Sequence, residues 1–422
     1  MNFLKTIFLS GISTIIKIFS WLIINKIVAV YIGPSGIALI GQFQNFLNIV
    51  ITFGNGAINT GVTKYVAEYG QDEEKKNNVI SAALIMAITC SLFVGLITFV
   101  GSSYFSFWIF KTEEYHSIIK LLAITLILIS LNTTLLAVIN GLKKIRLFIG
   151  INIANSLLSL IITSFLTVIY GVFGALLSLV IVQSIIFFIT VPIVLCRIDL
   201  KIIINTAIEN THYRKLLAFS LMSLVSVSSV SVTQIIIRNH VINHLTIEQA
   251  GYWQSVWLIS SMYLMIFSTA FSIYYLPRLS ELKEHVEIRK EILHSYKIIL
   301  PLVFLSSFSI YLLRDFIIEN LFTLEFSVMR SLFAFQLIGD FLKMASFSLA
   351  LLMVSKALTK TFIITEIIFS LSFYILTVVF VEISGLEGVT HAYAINYFLY
   401  LLTMVILFKR ILFIKKIEGN IE

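Results

Sequence analysis

Twelve long stretches of apolar residues take up almost all of this 422-residue sequence. They fall near 6–32, 37–63, 79–104, 118–140, 146–170, 173–196, 216–237, 251–276, 297–313, 329–355, 361–384 and 388–412. A helix rises about 1.5 Å per residue, so each run can cross the roughly 30 Å of hydrocarbon in a bilayer. Hydrocarbon offers an open backbone no hydrogen-bond partner, and helices satisfy their own. The expected fold is therefore an all-α polytopic membrane protein with twelve transmembrane helices. The longest connections, 197–215 and 277–296, are too short for a soluble catalytic or nucleotide-binding domain. The first run contains Lys17 and continues to Ile32. No small-residue cleavage site follows a short core, so the run is expected to be a span and not a signal peptide.

The net charge of +8 is a matter of position more than of sum. With the N-terminus placed in the cytoplasm, 22 of the 30 Lys and Arg residues fall in cytoplasmic loops and tails. The opposite loops hold Lys111, Arg238, Arg314 and Arg330. That bias predicts both termini in the cytoplasm. The basic loops then contact anionic membrane lipid, and nucleic acid is not expected as a partner. Cys90 and Cys196, in or beside spans, are read as free thiols.

Two lobes are expected from a weak internal match. Lys26, near the outer end of the first run, is matched by Arg238 at the outer end of the seventh. Lys64, which closes the second run, is matched by Arg278, which closes the eighth. The two intervals are nearly equal, and each is close to half the chain. This predicts six-helix lobes at 1–196 and 216–422, in parallel orientation, joined by a cytoplasmic linker at 197–215. In 278–296 the residues Leu279, Leu282, Val286, Leu293 and Tyr296 share helical spacing between charges. An amphipathic helix is expected there, either lying on the membrane or serving as a solvated connector.

Polar residues inside the runs point to function. Gln44, Asn45, Asn48, Thr52, Asn55, Asn59 and Thr63 fall within about ±60° of one direction on a helical wheel. In a chain that is 59% hydrophobic, 12% charged and of mean hydropathy +0.99, such a stripe must face other helices or a water-filled cavity. Transport needs that arrangement. Asp340 and Lys343 sit in the middle of the tenth run with Gln336 on their face. They are either a self-neutralising i,i+3 ion pair or a functional site. Lys17 shares its face with Ser10, Ser13, Thr14 and Ser20. Lys26 faces the other way, near an interface where it can snorkel or bind. Glu366 lies about one and a half turns inside the eleventh run, above Ser370 and Thr377, as a titrating group or an interfacial one. Arg314 and Asp315 are read as interfacial anchors. No GxxxxGK[ST] occurs, so no ATP chemistry is expected. His240 and His244, placed in an outer loop near Glu248, lack HExxH, and neither a metal nor a cofactor is expected.

GVTKYVAEYG (61–70), FSIYYLPRLSEL (271–282), LLRDF (312–316) and FAFQLIGDFLKM (333–344) occur in this order after IGPSGIALIGQFQN (32–45). Together they resemble the Wzx-type flippases of O-antigen and enterobacterial common antigen synthesis, with the second branch the closer. Those belong to the multidrug/oligosaccharidyl-lipid/polysaccharide (MOP) exporter superfamily. The likeness covers nearly the whole chain but is loose over the last two runs, so a role for Glu366 rests on its chemistry alone. The resemblance implies a MATE-like pair of six-helix lobes around a central lumen. It further implies movement of undecaprenyl-pyrophosphate-linked oligosaccharide from the cytoplasmic to the periplasmic leaflet of the inner membrane by alternating access, with other polysaccharide-assembly proteins as partners. Lys17, Lys26, Arg238 and Lys343 can supply cations for the pyrophosphate. Gln44, Asn48, Thr52, Asn55 and Asn59 can supply amides and hydroxyls for the glycan. Asp340 and Glu366 can exchange the coupling proton or cation. The rivals are a MATE-like drug or cation antiporter, which would want a more acidic lumen, and a membrane polymerase or glycosyltransferase, which would want larger outer loops. A receptor without turnover would leave the polar stripes unexplained.

Overall fold

The computed structural model of the chain describes residues 3–70, 72–197 and 210–413. Most of the expected linker lies outside these residues, as do Lys201, Lys415 and Lys416; the side chains of Lys5, Ser10, Arg214 and Lys215 also lie outside the description. The chain packs as two compact units, residues 1–239 and 240–422.

In the first unit α1 (Phe3–Gly54) is followed by α2 (Asn59–Glu68), α3 (Glu73–Val100), α4 (Ser102–Phe110), α5 (His116–Gly141) and α6 (Ile145–Arg197), with α7 (Asn210–His244) running into the second. The second unit continues with α8 (Ile247–Ala270), α9 (Leu276–Glu281), α10 (His285–Leu312), α11 (Arg314–Leu321), α12 (Phe333–Ser355), α13 (Thr359–Ser384), α14 (Glu387–Leu407) and the short α15 (Lys409–Leu412). A π-helical turn at Phe271–Tyr275 joins α8 to α9, and a 3₁₀ stretch at Leu324–Leu332 leads into α12. Helix starts follow local chemistry: Asp72 accepts from the Lys75 amide at 3.1 Å and Thr246 from the Gln249 amide at 3.2 Å. Hydrogen bonding from Lys75 also holds the exposed Asp72 carboxyl below its ordinary range.

Among the described residues, nine helices are long and apolar enough to cross a membrane. Two of them hold two expected runs each. α1 breaks at Gly33 (φ 69°) just before Pro34, and α6 breaks at Gly171 (φ 56°), between the runs expected at 146–170 and 173–196. In α6 the chain doubles back, since Lys144 Nζ donates to the Arg197 carbonyl at 2.8 Å across the whole helix. The less apolar α8, with Gln249, Gln254 and four serines, falls outside the nine.

The turns carry a repeat that charge spacing only hints at. Gly171 and Gly385, separated by about half the chain, have nearly the same backbone angles, φ 56° and ψ −133° against φ 58° and ψ −135°. Three residues on, a Cβ at Gly174 would sit 1.9 Å from the Leu166 carbonyl oxygen, and one at Gly388 2.0 Å from that of Phe380. The first glycine supplies the left-handed turn and the second the close backbone approach. Lys143 (φ 57°) and Ala357 (φ 51°), separated by the same interval, follow the ends of α5 and α12 with matching hydrogen bonds. The amide of each donates to the carbonyl three residues back, and the next amide donates to the carbonyl five residues back.

Two expectations are corrected. The second run is not one helix: α1 ends at Gly54, and residues 55–58 turn with Gly56 at φ 65° and Ala57 at φ 53° before α2 begins. The 278–296 segment is not one amphipathic helix either. It breaks at 282–284, and its second half is continuous with the ninth span as α10. A wheel drawn across that break misplaces its residues: Leu279 and Leu282 are buried, Val286 and Leu293 are exposed, and Ile288 and Ile292 form the buried face.

The first unit packs α1 on α6 and α5 on α2, α3 and α6, around two clusters of buried aliphatic and aromatic side chains. The second packs α12 on α14 and α10, with α13 against α14. Gly339 lets α12 and α14 come close: a Cβ there would sit 2.3 Å from the Tyr393 ring of α14.

Candidate functional site

In the first unit α1 and α7 are joined by buried polar side chains. The Arg238 guanidinium, fully buried, donates from Nη1 to Gln42 Oε1 at 2.7 Å. Gln42 in turn donates to Asn239 Oδ1 at 2.7 Å, and Asn239 to the Trp108 carbonyl at 3.4 Å. One turn along α1, Asn45 donates to Gln234 Oε1 at 3.1 Å. Arg238 is thus held within protein at a helix–helix contact and does not project from the outer end of a span.

The expected stripe is divided by the turn at 55–58. Gln44 and Thr52 are half-buried and Asn48 is exposed, all on α1. Asn55 is buried in the turn itself, where its Oδ1 accepts the Ala57 amide at 2.8 Å. Asn59 and Thr63 belong to α2, and Thr63 donates to the Ala137 carbonyl at 3.1 Å. On the first half of α1 Lys17 is exposed, Lys26 half-buried and Ser20 buried.

The second unit gathers Asp340, Lys343 and Glu366. Asp340 is fully buried, and its two oxygens are taken separately: Tyr263 of α8 donates to Oδ2 at 2.9 Å and Tyr393 of α14 to Oδ1 at 2.9 Å. Gln336, one turn earlier, adds a longer contact at 3.4 Å, and Ser307 of α10 meets the Tyr263 hydroxyl at 3.1 Å. Two phenolic donors on one carboxylate are charge-assisted bonds, and they tie α8, α12 and α14 together at mid-span. Lys343 belongs to none of the ion pairs among the described residues. The self-neutralising pair with Asp340 is therefore not formed. Its Nζ instead lies 5.2 Å from the ring centre of Trp257 and 5.5 Å from that of Tyr397, within cation–π range of both. Half-buried Glu366 is its electrostatic neighbour from α13.

The rings that complete this site form a ladder. Tyr393 meets Trp257 edge-on at 5.4 Å, Tyr397 at 4.9 Å and Phe373 at 5.7 Å. Tyr397 continues to Tyr400 at 6.3 Å, which packs on Phe369 at 4.8 Å. Gln42, Gln234 and Asn239, like Tyr263, Tyr393, Trp257 and Tyr397, are not singled out by the sequence. The one signal for Tyr393 and Tyr397 is that they share a face of the twelfth run with Tyr400, a pattern that reads equally well as ordinary core.

His240 and His244 lie in the last turns of α7, not in a loop. Their rings are 4.2 Å apart, with Tyr374 edge-on to His240 at 6.3 Å. Among the described residues no three His, Cys, Asp or Glu side chains converge as a metal site. Arg314 lies over the Tyr311 ring at 4.1 Å, and Asp315 pairs with Arg330 at 3.0 Å.

Residues 42–331 match the family described as polysaccharide biosynthesis protein. The chain is 30% identical over 416 residues to the lipid III flippase of Escherichia coli (strain K12), covering 95% of this chain and 96% of that one. The lipid III flippase of Shigella flexneri matches with the same figures. Among solved structures, an outward-facing MATE family multidrug resistance transporter of the MOP superfamily matches with a TM-score of 0.73 at 16% identity, over 96% of this chain and 95% of that one. The lipid II flippase MurJ, in an inward closed conformation, matches with a TM-score of 0.69 at 16% identity, over 96% and 87%. The fold is that of the MOP superfamily.

Proposed function

The chain belongs to the polysaccharide biosynthesis protein family, and we propose that it is a flippase that carries a lipid-linked oligosaccharide across a bacterial inner membrane. The cargo is an undecaprenyl-pyrophosphate-linked repeat unit of an O-antigen or of enterobacterial common antigen. Lipid III, named for both curated relatives, is the first choice. Movement is from the cytoplasmic to the periplasmic leaflet by alternating access, with both termini in the cytoplasm. The protein transports its substrate unchanged and is not an enzyme, and it works beside other polysaccharide-assembly proteins.

The observation that carries this reading is Lys343, a half-buried ammonium at mid-span that lies over two aromatic faces and makes no direct ion pair. Burying an amine in a span costs about 2.5–3.5 kcal/mol on the insertion scale, and the charge it keeps is available to a pyrophosphate. Lys17, Lys26 and Arg238 add positive charge in the first unit. Gln44, Asn48, Thr52 and Asn59 offer hydrogen bonds to sugar hydroxyls, and Asn55, buried with its Oδ1 on the Ala57 amide, shapes the turn between them. Asp340 and Glu366 are the acidic groups for a coupling proton or cation.

The test is a deletion strain. Lipid-linked repeat units should accumulate on the cytoplasmic side, and surface glycan should return when this chain is restored but not with Lys343→Ala at equal membrane abundance. Accumulation of single units already on the periplasmic side would point to a polymerase and overturn the proposal.

A further inference from the structure

We propose that Trp257 and Tyr397 form a stacking platform for the sugar next to the diphosphate, with the Lys343 ammonium beside it as the diphosphate's anchor; this rests on reading the chain as a lipid-linked glycan flippase. Both rings are half-buried, so each keeps a part that neighbouring side chains do not cover. Their buried sides are fixed. Tyr393 meets both edge-on, Trp253 stands behind Trp257 at 6.1 Å and 66°, and Tyr400 stands beyond Tyr397 at 6.3 Å and 81°. Edge-to-face contacts on this scale hold rings in place, and a pre-placed platform loses little order on binding. Gly339 keeps the support tight, since only a hydrogen fits between its Cα and the Tyr393 ring.

The ammonium explains why the pair suits a sugar diphosphate and not a purely apolar ligand. A carboxylate would neutralise Lys343, whereas a ring face attracts it and leaves its charge intact. Of the two carboxylates whose field Lys343 feels, Asp340 spends both oxygens on Tyr263 and Tyr393, and Glu366 makes no ion pair with the ammonium. An anionic oxygen bound to Nζ at about 2.8 Å would lie beside both rings, and the sugar bonded to that diphosphate would bring its apolar C–H face against them. The same rings give a bare prenyl diphosphate nothing to stack.

The full-length protein in lipid nanodiscs is titrated with farnesyl diphosphate and with farnesyl diphosphate carrying one N-acetylhexosamine. The sugar should tighten binding about tenfold. Trp257→Leu and Tyr397→Leu should lose that increment while still binding the bare diphosphate, Trp257→Phe and Tyr397→Phe should keep most of it, and Lys343→Gln should weaken both ligands alike. Equal affinity of the native protein for the two ligands overturns the platform alone. Equal weakening of both ligands by the leucine variants does so too, since the rings would then serve only to hold Lys343. Failure of the native protein to bind either ligand overturns the flippase reading with it. Should a leucine variant not fold, the ratio in the native protein and in the phenylalanine variants decides.

Discussion

Each unit buries ionisable side chains among its helices, and the two surround them differently. In the first, the Arg238 guanidinium donates to the neutral amide of Gln42, which donates on to Asn239. In the second, Asp340 is surrounded by phenols and Lys343 by aromatic faces. A guanidinium keeps its proton across the whole accessible range, so the amide network is a fixture. It joins α1 to α7. The second unit sets an acid and an amine three residues apart without a direct ion pair, the acid held by two phenols and the amine over two rings. Both arrangements fasten helices, the first through neutral amides around a cation and the second through phenols around an acid, and the second also leaves an amine over ring faces.

The largest effect should come from unfastening the first network. Gln42→Leu removes the guanidinium's amide acceptor and the donor to Asn239 together and should cost about 3 kcal/mol, read as lost thermal stability and membrane abundance. Arg238→Met with Gln42→Leu should restore most of it, because the buried charge is then gone along with its acceptor. No restoration would mean that Arg238 acts on something beyond its amides. In the second unit Tyr393→Phe removes one of two donors to Asp340 and should cost about 1.5–3 kcal/mol. Tyr263→Phe should cost a similar amount, since each hydroxyl serves a different oxygen. A negligible cost for both would show that the carboxylate is not the fastening point of α8, α12 and α14.

A smaller quantity separates the two readings of Asp340 and Lys343. Asp340 and Lys343 make no direct ion pair but lie within each other's field, so the two alanine changes should be non-additive in stability, while export should not return in the double variant. Recovered export would make the pair structural after all. Smallest is the relief of left-handed backbone at the matched turns. Lys143→Gly and Ala357→Gly should each stabilise by about 0.5 kcal/mol, the strain removed being partly offset by a more flexible unfolded chain. The two changes should agree, and a gain at one with a loss at the other would break the equivalence of the turns.

Much of this was legible in the sequence. Run length and polarity gave the all-helical membrane fold but not the count, since nine helices among the described residues are long and apolar enough to span where twelve runs were expected, and the boundary expected between 170 and 173 falls on Gly171. The wheel put Asp340, Lys343 and Gln336 on one face. It could not show that the carboxylate belongs to Tyr263 and Tyr393, 77 and 53 residues away, because spacing within one helix says nothing of what the next helix offers. Gln42 was invisible for the same reason, being a single amide off the stripe whose guanidinium partner is 196 residues distant. Charges hint at the repeat only loosely, because they mark membrane edges with wide latitude. Glycines write it more plainly, Gly171-x-x-Gly174 returning half a chain later as Gly385-x-x-Gly388, since a positive φ and a close backbone approach tolerate little else.

The doubled-back α6 also bears on how the chain is made. Its 53 residues leave a ribosome in about 3–10 s at ordinary elongation rates, and both arms of the hairpin are then present together, before α7 has emerged. The contacts that close it, Gly174 against Leu166 and Lys144 against Arg197, lie within or beside that stretch. Each arm therefore meets its neighbour early and over a short loop, where closure is least costly. The contacts that close the hairpin thus need nothing from the helices made after it.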